Sequence, residues 1–225
     1  MLLGTATNVA AIVLGSTLGL VLRRKLPRRI TTILTQGLGL VTALIGIKMM
    51  LVTENVLVVL LSVIAGGVLG ELIQIESRLD TFGVRIEKRL SRQHGTFAKA
   101  FVTSTLLYCV GPLAILGALQ DGLRGDFTLL LTKSGLDGIA SVAFASTLGI
   151  GVLFSALPVL AYQGSLTIGA SLLAPYLTTS VVNEMTATGG LLILGIGLNI
   201  LQVTKIKVGN MLPAILVAAI LVGLL

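Results

Sequence analysis

Charge is scarce in this chain of 225 residues: Asp, Glu, Lys and Arg make up 11% of it, against 55% hydrophobic residues. A soluble domain carries roughly 25% charged residues, so a core packed for water is excluded. There is one cysteine, Cys109, inside an apolar stretch, which rules out an intramolecular disulfide and leaves no second thiol at metal-ligand spacing. There is one histidine, His94, in a basic segment, so neither a metal cage nor a histidine-based triad can be assembled within one chain. Acidic residues number 9 against 16 basic ones. That excess does not point to nucleic acid, because the basic residues sit in short runs directly after hydrophobic stretches, as cytoplasmic membrane flanks do. Thr132-Lys133-Ser134 resembles the end of a phosphate loop but lacks the glycine before the lysine. The sequence therefore predicts no enzyme and no cofactor, and leaves the identity of any bound ion open.

Long apolar runs are what the chain has instead. The hydrocarbon core of a bilayer needs roughly 20 apolar residues in a helix and leaves no water for bare backbone groups. The pattern predicts an all-α, polytopic helical membrane protein of about seven to eight membrane segments in a single domain, 1–225. Leu2–Leu22 has no basic residues before it and is followed at once by Arg23, Arg24 and Lys25, so it reads as an uncleaved first span with its N-terminus outside. Spans are expected at Ile30–Val52 and Val56–Ile75, and residues 77–94 read as a cytoplasmic interfacial helix on the spacing of Leu79, Phe82, Ile86 and Leu90. The run from Phe97 to Leu119 is broken at Gly111-Pro112, giving either a kinked span or two half-helices. Leu136–Leu157, Val159–Leu177, Thr186–Val203 and Val208–Leu225 complete the set.

An internal match joins the two ends of the chain. Val9–Leu20 lies over Ile139–Ile150 with Ser-Thr-Leu-Gly in common, and Gly39, Gly46 and Asn55 find counterparts in Gly190, Gly197 and Asn210. Gly4, Ala11, Gly15 and Gly19 form a small-residue stripe, continued in the counterpart by Ser141, Ala145 and Gly149. Such stripes let membrane helices approach closely. Because the basic flanks follow non-equivalent spans, the halves 1–75 and 133–225 are expected to be inverted, a plan shared by many secondary transporters.

Polar groups inside membrane spans are costly and tend to face a cavity, a partner or a pathway. Those that stand out are Asn8, Gln120, Asp121, Lys133, Asp137, Ser141, Gln163, Asn183 and Glu184. Asp121-Gly122 and Asp137-Gly138 put a carboxylate beside flexible backbone, which suits a hard cation. The alternative is that both carboxylates cap helices and that Lys133 neutralises one of them. Asp137 is expected at an interior site with Gln120 or Asp121 and with Gln163. Glu71 and Lys48, near span ends, read as snorkelling side chains.

Several of these segments also carry a family likeness. Met1–Thr5, Ala118–Gly122 (ALQDG), Lys133–Gly138, Phe144–Gly151 (FASTLGIG), Gln163-Gly164-Ser165, Asn183–Thr186 and Gly195–Asn199 together resemble the YdfK/YqgA-like bacterial membrane proteins, a family of unknown function. The resemblance implies a bacterial plasma membrane and brings no substrate or catalytic residue with it. Two functions stay open: a small secondary transporter or ion-conducting protein for a cation or small polar solute, and a non-transporting scaffold or regulator. The bilayer is the expected partner, with a homo-oligomer, most simply a dimer, in either case.

Overall fold

The computed structural model describes residues 2–23, 25–90 and 97–224; His94, Arg24 and the end of the expected interfacial helix, 91–94, lie outside them. Every regular element among the described residues is helical: α1 Leu3–Arg23, α2 Arg28–Met50, α3 Val56–Ile73, α4 Ile75–Leu90, α5 Phe97–Cys109, α6 Pro112–Arg124, α7 Thr128–Leu148, α8 Gly151–Phe154, α9 Ala156–Ile168, α10 Ala170–Leu173, α11 Thr179–Ile200, a 3-10 turn Val208–Met211, and α12 Ala214–Leu224. Among the described residues, five helical stretches, α1, α2, α3, α8 with α9, and α11, are long and apolar enough to cross a membrane, and a sixth appears when α5 and α6 count as one span. Two further helices, α7 and α12, run alongside α1 and α3.

Local chemistry sets the breaks. Asn55 caps α3 by accepting the Leu57 N–H at 3.1 Å, and Gln74, in the left-handed region at φ 56°, ends it. The residue after a helix adopts this conformation to satisfy orphan carbonyls; here it also turns the chain into α4. Between α5 and α6 the axis bends by 58°. Gly111 takes φ 130°, which favours glycine, and Pro112 opens α6, where its missing N–H costs nothing.

The chain forms two compact, discontinuous units: Met1–Ile33 with Lys99–Leu177, and Leu34–Ala98 with Thr178–Leu225. In the first unit α1 lies along α7. A side chain at Gly15 would run into the Gly138 carbonyl, and one at Gly19 into the Val142 carbonyl and the Ala145 methyl; Gly4 sits against Phe127 and Leu130, and Gly149 against the Arg23 side chain. Ala11 touches Gly138 at ordinary van der Waals distance. Both sets of positions ascend together, so α1 and α7 run in the same direction. This corrects the expectation that Val9–Leu20 and Ile139–Ile150 are inverted with respect to each other. A small-residue stripe requires only close backbone approach, which parallel and antiparallel pairs satisfy equally, so the pattern carries no information on direction. The interior of this unit is completed by Ile12, Tyr108, Cys109, Ala156 and Val159.

In the second unit the paired helices are antiparallel. Gly39 meets Ile200 and Leu201, while its sequence counterpart Gly190 meets Met49 and Met50; Gly46 meets Leu194, while its counterpart Gly197 meets Ala43. The contacts are reciprocal, as across a local two-fold axis perpendicular to α2 and α11. Gly66 and Gly70 of α3 lie in the same way against Ala214 and the Asn210 carbonyl. Leu57, Leu60, Leu61, Ile64, Val68 and Leu72 on the rest of α3 stay exposed, as a lipid-facing surface must.

Candidate functional site

The polar side chains singled out in the sequence separate into three groups. The first lies in the first unit, where Lys133 and Asp137, one turn apart on α7, form an ion pair. Both are buried, at 5% and 7% exposure. Near them on α1, Asn8 donates through Nδ2 to Gln163 Oε1 on α9 at 3.1 Å. Asn8 and Gln163 are completely buried. Asn8 Oδ1 and Gln163 Nε2 have no hydrogen-bond partner, and neither do the nearby hydroxyls of Thr5 and Thr167.

Tyr108, on α5, closes this site from another side. Its hydroxyl hydrogen-bonds Ser141 Oγ at 2.8 Å, and its ring lies 5.9 Å from Lys133 Nζ, within cation–π range. Sequence reasoning missed Tyr108; the signal was one tyrosine among the apolar residues of α5. A buried ion pair held by only one strong partner is an expensive arrangement, because effective desolvation costs several kcal/mol per ion. It is tolerated here by the amide, hydroxyl and ring groups around it.

Asp121 belongs to the same unit but not to this group. Its Oδ2 accepts the Gly4 N–H at 3.3 Å, satisfying one of the orphan donors at the start of α1. The expected pairing of Asp137 with Gln120 or Asp121 is thus corrected. A carboxylate on α6 is held by the end of α1, while Asp137 pairs with Lys133 on its own helix. Gln120 is half-buried on α6.

Asn183 and Glu184 lie in the second unit and have a different task. The Glu184 carboxylate, 2% exposed, accepts the Thr53 hydroxyl at 2.8 Å and the N–H groups of Glu54 and Asn55 at 2.6 and 2.9 Å. Glu54 in turn accepts from Asn183 at 2.8 Å and Ser180 at 3.1 Å. The start of α11 therefore clamps the turn between α2 and α3, with a negative charge where the α3 dipole favours one.

A matching clamp at the other end of α3 was not legible. Glu71 accepts from Lys207 Nζ at 2.8 Å and from Asn210 Nδ2 at 2.5 Å, Asn210 Oδ1 accepts the Glu76 N–H at 2.7 Å, and Glu76 Oε2 accepts the Gly209 N–H at 3.0 Å. Glu71 is thus a clamp member rather than merely a snorkelling side chain. Burial raises the Glu76 carboxyl above its usual range, against the opposing Gly209 hydrogen bond. The hydrogen bond that Lys207 donates to Glu71 holds its ammonium above the usual lysine range.

An apolar cavity of about 230 Å³ opens in the second unit among Val63, Leu191, Leu198, Ile206 and Met211. It presents almost no polar surface, so a polar solute would find nothing there to replace its water. The described residues hold no group of three or more His, Cys, Asp or Glu able to bind a metal.

A family model described as "Protein of unknown function (DUF554)" matches residues 3–223. The "Uncharacterized membrane protein YdfK" of Bacillus subtilis (strain 168) is 33% identical over 225 residues, covering 97% of this chain and 95% of that protein. The "Uncharacterized protein YqgA" of Escherichia coli (strain K12) is 34% identical over 223 residues, with 97% and 95% coverage. No solved structure matches the chain. With near full-length agreement to both, this polytopic helical membrane protein belongs to the DUF554 family.

Proposed function

We propose that the protein is a small secondary transporter or ion-conducting protein of the bacterial plasma membrane, acting on a cation or small polar solute. The observation that carries this reading is the sealed polar group Lys133, Asp137, Asn8 and Gln163, drawn from three helices and left with unpartnered amide atoms. Intramembrane ionisable groups are retained mainly where a pathway or ligand needs them. The N-terminus lies outside and the basic flanks Lys25–Arg29 and Lys205–Lys207 lie in the cytoplasm. The protein works as a homo-oligomer and catalyses no covalent chemistry.

The test is flux in proteoliposomes under imposed cation and pH gradients. Asp137→Asn keeps the side-chain shape, leaves Lys133 without its counter-charge, and is expected to abolish flux while the protein still folds. Flux at the wild-type rate in that variant refutes the reading. The scaffold alternative rests on one feature, that Lys133 already neutralises Asp137. Under it, a Lys133→Met/Asp137→Leu double variant would be as functional as the parent, since a buried pair can be replaced by apolar groups without loss of stability.

A further inference from the structure

We infer that the solute held at the α1, α7 and α9 site is a small zwitterion with an ammonium and a carboxylate on one carbon, the core of an α-amino acid. The inference rests on the transport reading above and gives it a substrate class. It follows from which hydrogen-bonding capacity the four buried side chains have used and which they have left.

Asn8 spends Nδ2 on Gln163, so its remaining group is the acceptor Oδ1. Gln163 spends Oε1 on Asn8, so its remaining group is the donor Nε2. The ion pair repeats the same balance with full charges: Lys133 has N–H groups to give, and Asp137 has a second oxygen to receive. The site therefore offers a donor set, Lys133 and Gln163, and an acceptor set, Asp137 and Asn8, with no net charge.

A simple cation would use the acceptor set alone. It would face the Lys133 ammonium and leave Gln163 Nε2 unpaired. An anion would use the donor set and face Asp137. A solute carrying both charges answers all four groups: its carboxylate takes Lys133 and Gln163, and its ammonium takes Asp137 and Asn8. It can separate the Lys133–Asp137 pair without stranding either charge, which is what makes breaking one partner of a buried pair so costly. The direct Asn8–Gln163 bond and the direct ion pair keep the two sets close, which suits charges one carbon apart.

The experiment uses the full chain in lipid nanodiscs and in proteoliposomes. Binding of radiolabelled glycine is measured, with L-alanine, L-serine and L-leucine as competitors, and with acetate, methylammonium, NaCl and KCl as probes of one sign. The expected result is saturable glycine binding that raises the thermal midpoint, competition by at least one of the other amino acids, and no competition by acetate or methylammonium, alone or mixed. Asn8→Ala and Gln163→Ala are each expected to weaken binding about tenfold, one hydrogen bond to a charged group apiece. In the exchange variant Lys133→Asp/Asp137→Lys the ion pair persists with its sense reversed, so a purely structural pair leaves glycine binding unchanged, whereas zwitterion recognition loses it. Unchanged glycine binding in both amide variants and in the exchange variant overturns the assignment. Cation or proton flux with no response to any amino acid overturns it while leaving transport standing. Glycine binding without counterflow sustains the site and refutes transport, and an absence of both flux and binding refutes the two together.

Discussion

The contact between α2 and α11 can be tested by adding single methyl groups. A Cβ at Gly46 would lie 2.7 Å from the Gly190 carbonyl oxygen and 2.8 Å from Leu194 Cα, and one at Gly197 would lie 2.6 Å from Ala43 N and 2.9 Å from Ala43 Cβ. Most of these neighbours are backbone, so neither clash can be relieved by a rotamer change; the helices must move apart. Overpacking of this kind costs about 1–3 kcal/mol. Against it stands the roughly 0.5–1 kcal/mol that alanine gains over glycine in a helix. Gly37, on the same helix with nothing within 4 Å of its Cβ position, measures that gain alone. Thermal unfolding in mild detergent should therefore show Gly37→Ala at or slightly above the parent, and Gly46→Ala and Gly197→Ala both below it. The double variant Gly46→Ala/Gly197→Ala should lose less than the sum of the singles, because the helices separated by the first methyl already make room for the second. Full additivity, or a Gly46→Ala variant as stable as Gly37→Ala, would refute the close antiparallel contact.

Two further outcomes follow from the clamps on α3. Glu184→Gln halves the strong acceptor capacity facing Thr53, Glu54 and Asn55 and removes the charge at the α3 N-terminus; a loss of about 1–3 kcal/mol is expected, read as a lower unfolding midpoint and faster proteolysis at the α2–α3 turn. Glu76 has a folded-state pKa raised by burial, so the folded state holds its proton more tightly than the unfolded one, and this group lowers stability as pH rises above its ordinary value of 4.5. Glu76→Gln should accordingly unfold at a higher temperature than the parent at pH 7, with the difference vanishing as pH falls below 4.5; a difference that grows in acid would show the opposite sign and end the argument.

The hydrophobic runs announced most of the helices, and Gly111-Pro112 announced the break between α5 and α6, because both are local properties of the chain. The small-residue stripe through Gly15 and Gly19 was equally visible, since close approach demands glycine whatever the partner is. Its partner's direction was not, for the reason that α7 satisfies the stripe from either end. Asn8, Lys133, Asp137 and Gln163 could each be picked out as polar residues in apolar surroundings. That Asn8 would bond Gln163, while Asp121 went to the end of α1, depends on how α1, α6 and α9 pack, and no spacing in the sequence encodes that. Glu71 stayed hidden for a different reason. A carboxylate near a span end is satisfied by water as readily as by Lys207 and Asn210, so its position alone does not say which it has.

The way the two units share the chain has a consequence for its synthesis. The first unit is complete once Leu177 has been made, whereas α2 and α3 must wait for α11 and α12. At roughly 5–20 residues per second, α2 sits in the bilayer for some 6 to 26 s before its complement emerges from the ribosome. Throughout that interval Gly39 and Gly46 present a groove shaped for a helix that does not yet exist. Two nascent chains inserted side by side would show that same groove to each other, so this contact is where an exchange of helices between copies would begin.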